Sequence, residues 1–333
     1  MTNRFQHRKT IIRFKYFVLL SEAGLQKNCV WWLLPLVVKK LKMKKKASTY
    51  IQIPLVLILI LQLTFNEAIR AQDNSSSSGM SIRSSQFNTL VWSDEFEGIG
   101  AVDSEKWHHQ TQLPPGGSWW GGLIQHYTNR EDNAYLKNGY LNLVAKKEFF
   151  DDQGEIKQYT SARLNSKFSF TYGLVEVRAK MPAGIGTWPA IWMLNKNINE
   201  DGAYWDNEGF GTVNWPKCGE IDILEHWGKN QNYVSSALHN ASSYGYKVKN
   251  AGGQKIEKAS NKFHTYTLEW TKDKMVFAVD GVQHFQYKPS IKNSDTWPYA
   301  SDYYMILNIA IEPDIDPAFV ESPMVIDYIR VYQ

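Results

Sequence analysis

From Leu90 to Gln333 the chain is a succession of short strand-like runs cut by glycine, asparagine and proline, and no long segment keeps a helical period. "LVWSDEF" opens the series, and "GYLNLVAKK" alternates from Tyr140 to Ala145. "SARLNSKFSFTYGLVEVRAKM" holds two runs around Tyr172-Gly173, and "KMVFAVDGVQHFQY" holds two around Asp280-Gly281. Asp-Gly between alternating apolar runs is a two-residue hairpin signal. "AIWMLN", "GEIDILEHW", "YYMILNIAI" and "MVIDYIRVYQ" complete the set. A period of two over runs this short marks half-buried strands. Many such strands with few helices specify an all-β sandwich or jelly roll of two antiparallel sheets. Residues 87–333 are enough for one such domain. The long insertions Leu113–Gly122 and Asn195–Trp215 are rich in Gly, Trp and Asn, and loops of this kind on a rigid sandwich carry function.

Charge separates the chain into unlike parts. Residues 1–46 hold twelve Lys/Arg and one acid, which leaves 25 basic and 32 acidic residues in 47–333. The body is therefore mildly acidic, which argues against nucleic acid or an anionic membrane as partner. From Met43 the chain reads Met, three lysines, an apolar run centred on Pro54 to Leu61, then small residues to Ala71. That is the layout of a secretory signal peptide over residues 43–71. The apolar run is short for a membrane span. Residues 1–42 have no assigned role, residues 72–86 form a Ser-rich linker, and 87–333 form the domain. The expected product is secreted, without a stable membrane span, and monomeric. Of two cysteines, Cys29 and Cys218, only Cys218 lies outside the leader, so no disulfide framework is expected. Cys218 reads either as a nucleophilic thiol or, more simply, as a small buried residue.

The run "CGEIDILEHW" carries Glu220, Asp222 and Glu225 in six residues, separated by Ile221, Ile223 and Leu224. In a regular strand Glu220 and Asp222 share a face and Glu225 points to the other. A β-bulge at Ile223-Leu224 would return Glu225 to the acidic face and let both aliphatic side chains enter the core. Three carboxylates on one face are costly unless they are used. Two glutamates so placed would stand about 5–5.5 Å apart, the spacing of retaining glycoside hydrolysis. One carboxylate attacks the anomeric carbon, the other protonates the leaving oxygen, and a third acid between them couples their titrations. No H-E-x-x-H or Cys/His cluster argues for catalytic zinc.

"GEIDILE" resembles the active-site signature of glycoside hydrolase family 16 in its bulged form, the one seen in laminarinases. "HYTNREDNAYLKNGYLNLVAKKE", "YTSARLNSK", "GLVEVRAKMPAGIGTWPAIWMLN", "FHTYTLEWT" and "IDYIRVYQ" extend the likeness over Asn88 to Gln333. The resemblance implies a β-jelly-roll with a substrate cleft on its concave face. It implies Glu220 as nucleophile, Glu225 as acid/base and Asp222 as assisting carboxylate. It also implies substrate contacts from Trp188, Arg163 and Asn133, with Trp205 and Trp227 as stacking residues. Trp192 reads equally as cleft wall or core filler, and His239 as a cleft histidine or a structural one. Pro189 leaves open whether Trp188 and Trp192 share a face.

No cofactor is expected for catalysis. A structural Ca²⁺ away from the cleft would use Glu97, the Gly139 carbonyl and Asp327, an oxygen-only set. One departure from the family pattern is "LNIAIEPDIDPAF", where Glu312-Pro313 replaces a glycine pair at the cleft rim. The implied activity is endo-hydrolysis of β-1,3-glucan, with mixed-linkage β-1,3-1,4-glucan as a further substrate. A galactan hydrolase, a transglycosylase and a non-catalytic glucan-binding module share the fold. The acidic body disfavours sulfated galactans, and retention of both glutamates disfavours a binding module. The leader reading predicts translation from Met43, and N-terminal sequencing or intact mass of the precursor checks it. A precursor starting at Met1 overturns it.

Overall fold

A computed structural model describes residues 86–333. The extension, signal peptide and all but the last residue of the linker expected from the sequence lie outside the described residues. Two sheets face each other across one large apolar core. The first runs in the order β15 (Val282–Tyr287), β14 (Met275–Val279), β13 (His264–Trp270), β8 (Gly173–Lys180), β17 (Glu321–Tyr332), β5 (Tyr140–Asp152), β6 (Glu155–Ser161), β3 (His126–Tyr127). On it β1 (Leu90–Asp94) joins β17 and β4 (Ala134–Lys137) joins β5. The second runs β12 (Ala251–Lys255), β11 (Tyr233–His239), β10 (Glu220–Glu225), β9 (Thr187–Asn195), β16 (Tyr303–Ile311), β7 (Arg163–Phe170), β2 (Trp107–His109). Among the described strands every pairing is antiparallel except β3 with β6. Among the described residues no helix is long and apolar enough to cross a membrane.

The turn chemistry accounts for the local connections. Asp280 and Gly281 both adopt positive φ, as a type I′ hairpin requires, and join β14 to β15. Tyr172-Gly173 does something different. It is no hairpin: β7 belongs to the second sheet and β8 to the first, so this turn carries the chain across the sandwich. Among the described residues the one α-helix is the short α1 (Tyr204–Asn207), inside the Asn195–Trp215 insertion.

Alternation along β16 fixes the second sheet. Tyr303, Met305, Leu307, Ile309 and Ile311 enter the main core. Between them Tyr304 and Ile306 join a smaller cluster on the other face, with Leu194, Ile198 and Cys218. Trp188, Ala190 and Trp192 of β9 stand opposite Ala310, Asn308 and Ile306 of β16. Pro189 stays in the ladder opposite Ile309, so Trp188 and Trp192 share a face. Cys218 takes the packing reading: it is buried, and burial followed by nearby Glu220 and Glu200 drives its thiol pKa upward, away from nucleophilic use.

The rim segment after β16 is knitted in by close backbone contacts. A Cβ on Gly186 would lie 2.2 Å from Ile315 Cα, and one on Gly228 would lie 1.7 Å from the Gly184 carbonyl oxygen. Three segments, 184–186, 228 and 312–319, therefore approach one another at distances only glycine permits. Lys229 Nζ reaches Glu312 Oε1 at 3.4 Å, so the residue that departs from the family pattern is paired across this rim.

Candidate active site

The acidic strand is bulged where the sequence required it. Against β11, Asp222 pairs with Ala237 and Glu225 with Ser235, so Ile223 and Leu224 together oppose Ser236. Against β9, Asp222 pairs with Trp192 and Leu224 with Ile191, leaving Ile223 as the extra residue. Ile221, Ile223 and Leu224 all enter the main core. Glu225 thereby rejoins the face of Glu220 and Asp222.

Each glutamate is held by its own tryptophan. Trp215 Nε1 donates to Glu220 Oε2 at 2.8 Å, and Trp188 Nε1 donates to Glu225 Oε1 at 3.1 Å. His239 stands beside the middle of the row. Its Nδ1 accepts the Gly245 N–H at 3.1 Å, so the ring proton is on Nε2. Nε2 lies 3.2 Å from Asp222 Oδ2 and 3.7 Å from Glu220 Oε1. Donor atoms of Glu220, Asp222 and His239 cluster within 4.8 Å, a spacing a cation could bridge. The protonated Nε2 is a donor, however, not a metal ligand.

The electrostatics follow from crowding. Burial, then the neighbouring Asp222 carboxylate, holds Glu220 well above the usual carboxylate range, while His239 and the Trp215 N–H pull the other way. Burial pushes Asp222 up to about 8, against a hydrogen bond with Glu220. Burial and then Asp222 push Glu225 up to about 8, opposed by His239 and by the Trp188 N–H. At neutral pH the row cannot hold three negative charges, and its protons belong to the group.

Around the acids the structure sorts the expected residues. Trp227 stacks on Trp188 with ring centroids 5.4 Å apart and an interplanar angle of 25°. Trp192 is half-buried on the same floor, its Nε1 donating to Asn308 Oδ1 at 2.7 Å. Arg163 is neither a surface charge nor a free arm: its side chain is buried, with Nε on Gln110 Oε1 at 2.8 Å and Nη2 on Glu200 at 2.8 and 3.0 Å. Its guanidinium lies over Trp192 and Trp119. Arg163 therefore braces the floor beneath Trp192.

Two expected substrate contacts lie elsewhere. Asn133 is fully buried, and its amide donates to the Val144 carbonyl and to Thr160 Oγ1 while accepting from Thr128 and Arg130. Both of its N–H groups are used in joining β5 to β6, with none left for a sugar. Trp205 sits on α1 and gives its N–H to the Ser166 carbonyl; its ring packs on Tyr204, Phe210 and the Lys196 ammonium. It anchors the insertion instead of flanking the acids.

A loop aromatic that reaches the tryptophans holding the acids is Trp120. Its ring is 6.4 Å from Trp188, 6.5 Å from Trp215 and 5.0 Å from Tyr246. It therefore spans the gap between the two tryptophans that hold the glutamates. The loop is fastened at its base, where Gln153 accepts the Leu113 N–H and Lys157 Nζ reaches the Gly117 carbonyl. Gly121 and Gly122, both at positive φ, follow Trp120 directly. The "WWGG" run lies in the Leu113–Gly122 insertion that its composition marks as functional, although composition singles out neither Trp120 nor Trp215 within the two insertions.

The family model "Glycosyl hydrolases family 16" matches residues 125–330. A curated "Beta-glucanase" from Rhodothermus marinus is 36% identical over 261 residues, covering 73% of this chain and 85% of that protein. "Glucan endo-1,3-beta-glucosidase A1" from Niallia circulans is 32% identical over 269 residues, with 73% of this chain matched to 38% of that protein. Among solved structures, a variant of LamA from Zobellia galactanivorans in complex with laminaritriose and laminaritetraose is 44% identical, with a TM-score of 0.68, covering 74% of this chain and 100% of that one.

The three acids bind protons more tightly folded than unfolded. Their contribution to stability is therefore full below the ordinary carboxylate range and is lost as pH rises through their folded values, about 8 for Asp222 and Glu225. Glu225→Gln is expected to flatten that slope and to melt higher than the parent at pH 8, as read by thermal melts across the pH range. An unchanged slope overturns the assignment.

Proposed function

The chain belongs to glycosyl hydrolase family 16, and on that premise we propose that it is a secreted endo-acting β-1,3-glucanase that hydrolyses laminarin-like glucans with retention of configuration. The observation that carries the reading is the bulge at Ile223, which aligns Glu220 and Glu225 on one face, each on its own indole donor. Glu220 is the nucleophile. The Trp215 N–H hydrogen-bonds its carboxylate, and His239 Nε2 stands 3.7 Å from it, so both favour its ionised form. Glu225, held protonated by burial and by Asp222, donates to the departing glycosidic oxygen as Glu220 attacks the anomeric carbon. In the second step Glu225, now ionised, takes a proton from water, and that water displaces Glu220 from the sugar. Asp222 and His239 orient Glu220 and redistribute the charge within the row. The Trp188–Trp227 pair offers flat apolar surface to sugar rings. The signal-peptide pattern from Met43 to Ala71 supports secretion.

Incubation with laminarin, lichenan, agarose and carrageenan tests the reading. Cleavage of the β-1,3-glucan to oligosaccharides, with retained anomeric configuration in the first product, is expected; no cleavage of any β-1,3-glucan overturns it. Glu220→Ala and Glu225→Ala should each lower turnover by about 10²-fold or more. Azide should restore Glu225→Ala on activated substrates, and rescue confined to Glu220→Ala would reverse the two roles.

A structural calcium ion belongs to the same reading. Glu97, the Gly139 carbonyl and Asp327 would hold it. Asp327 follows Ile326, which pairs with Leu141 two residues beyond Gly139, and Gly100 bridges to Leu136 close to Glu97. The donors are all oxygen, as calcium requires, although Arg178 already pairs with Asp327 Oδ2. Such an ion would fasten the start of the domain to β4 and β17. Calcium should raise the melting temperature and a chelator should reverse the gain; identical melts with both overturn the site.

A further inference from the structure

The bulge that aligns the acids is itself held by a network buried beneath the cleft. An extra residue in a strand leaves the ladder locally unpaired, so its backbone groups need other partners. The Ile223 carbonyl finds one in Ser236, whose Oγ lies 2.7 Å away. Ser236 is fully buried and is the residue of β11 that stands opposite the Ile223-Leu224 pair. Its Oγ also lies 2.8 Å from His284 Nε2. Donor bookkeeping fixes the directions. The carbonyl can only accept, and a serine hydroxyl carries one proton, so Ser236 donates to Ile223 and accepts from the His284 Nε2–H.

His284 belongs to the other sheet, and it sits at an irregularity of its own. On β15, Phe285 pairs with Phe277 and Gln283 with Ala278, so His284 is the extra residue there. Two bulges, one in each sheet, are thus tied together through one hydroxyl. Burial holds the His284 ring neutral through the ordinary working range, its pKa lowered to about 4, so the N–H donor stays in place without bringing a charge.

We propose that Ser236, anchored by His284, is a positioning residue: it locks the Ile223 bulge and thereby aims Glu225 at the leaving-group oxygen. The inference rests on the reading of Glu225 as acid/base. Without the hydroxyl, a buried carbonyl and a half-buried imidazole N–H both lose their partner. The strand can recover pairing only by drifting toward regular register, which turns residue 225 away from the acidic face. A displacement of about 1 Å is enough to cost roughly 10²-fold in rate.

The test separates aim from mere stability by the leaving group. In the full-length protein, Ser236→Ala should lower kcat on β-1,3-glucan about ten- to hundredfold. KM for the glucan should stay within about twofold, and kcat/KM for a dinitrophenyl β-glucan oligosaccharide, which reports the first step alone and whose leaving group departs without a proton, should remain within about twofold of the parent. His284→Gln, which keeps an N–H donor, should retain most glucan activity, and His284→Leu should show the Ser236→Ala pattern. If Ser236→Ala fails to fold, Ser236→Cys, a weaker donor of similar size, should show the same selectivity at smaller amplitude. Equal losses of kcat/KM on both substrates, or unchanged glucan turnover, overturn the proposal. A Glu225→Ala enzyme that shows no preference for the activated substrate would instead overturn the acid/base reading beneath it.

Discussion

Three carboxylates must share one face of a strand whose opposite face is entirely aliphatic. A regular β10 cannot satisfy both demands, because its side chains alternate strictly. Glu225 would be driven into the core, and Leu224 into the cleft. The extra residue at Ile223 resolves the conflict, and three aliphatic side chains go inward while three acids stay together. Packing and catalysis therefore depend on the same irregularity. Burying the row raises all three pKa values, and the indole donors of Trp215 and Trp188 offset part of that cost at its two ends.

The surroundings divide into a stiff floor and a roof carried on a loop. Beneath the cleft, Trp192 is locked by Asn308 and covered by the Arg163 guanidinium, which Glu200 and Gln110 hold in turn. These bonds hold the floor side chains in place on their strands. Above it, Trp120 touches Trp188, Trp215 and Tyr246 from a loop whose base is fastened and whose tip is followed by two glycines.

The strands, the Asp280-Gly281 hairpin and the bulge were legible because each is written in neighbouring residues. Alternation, turn chemistry and the Ile-Leu doublet between two acids are local signals. What was not legible depends on partners far along the chain. Arg163 looked like a free cationic arm because Glu200, in another loop, cannot be paired with it by inspection. Asn133 looked like a spare amide donor, yet Val144 and Thr160 consume it from two adjoining strands. Trp205 and Trp215 flank the acids alike in sequence, and only the folded insertion sends one to Ser166 and the other to Glu220. Ser236 carried no signal at all, since its importance lies in a carbonyl that becomes unpaired only after the strand bulges.

The position of β17 has a consequence for how this domain comes into being. Residues 321–332 are synthesised last among the described strands, yet they lie in the middle of the larger sheet, between β8 and β5, and they also receive β1. Until that segment is available the sheet is two halves with open inner edges, each a template for mispairing. Ladder formation cannot run from the amino end toward the carboxyl end as the chain emerges. It has to wait, and then join segments more than two hundred residues apart in sequence, Leu90 with Tyr332 among them. High contact order of this kind slows folding. A chain that stays open until its last strand arrives is also one that can be threaded through a narrow channel before it closes.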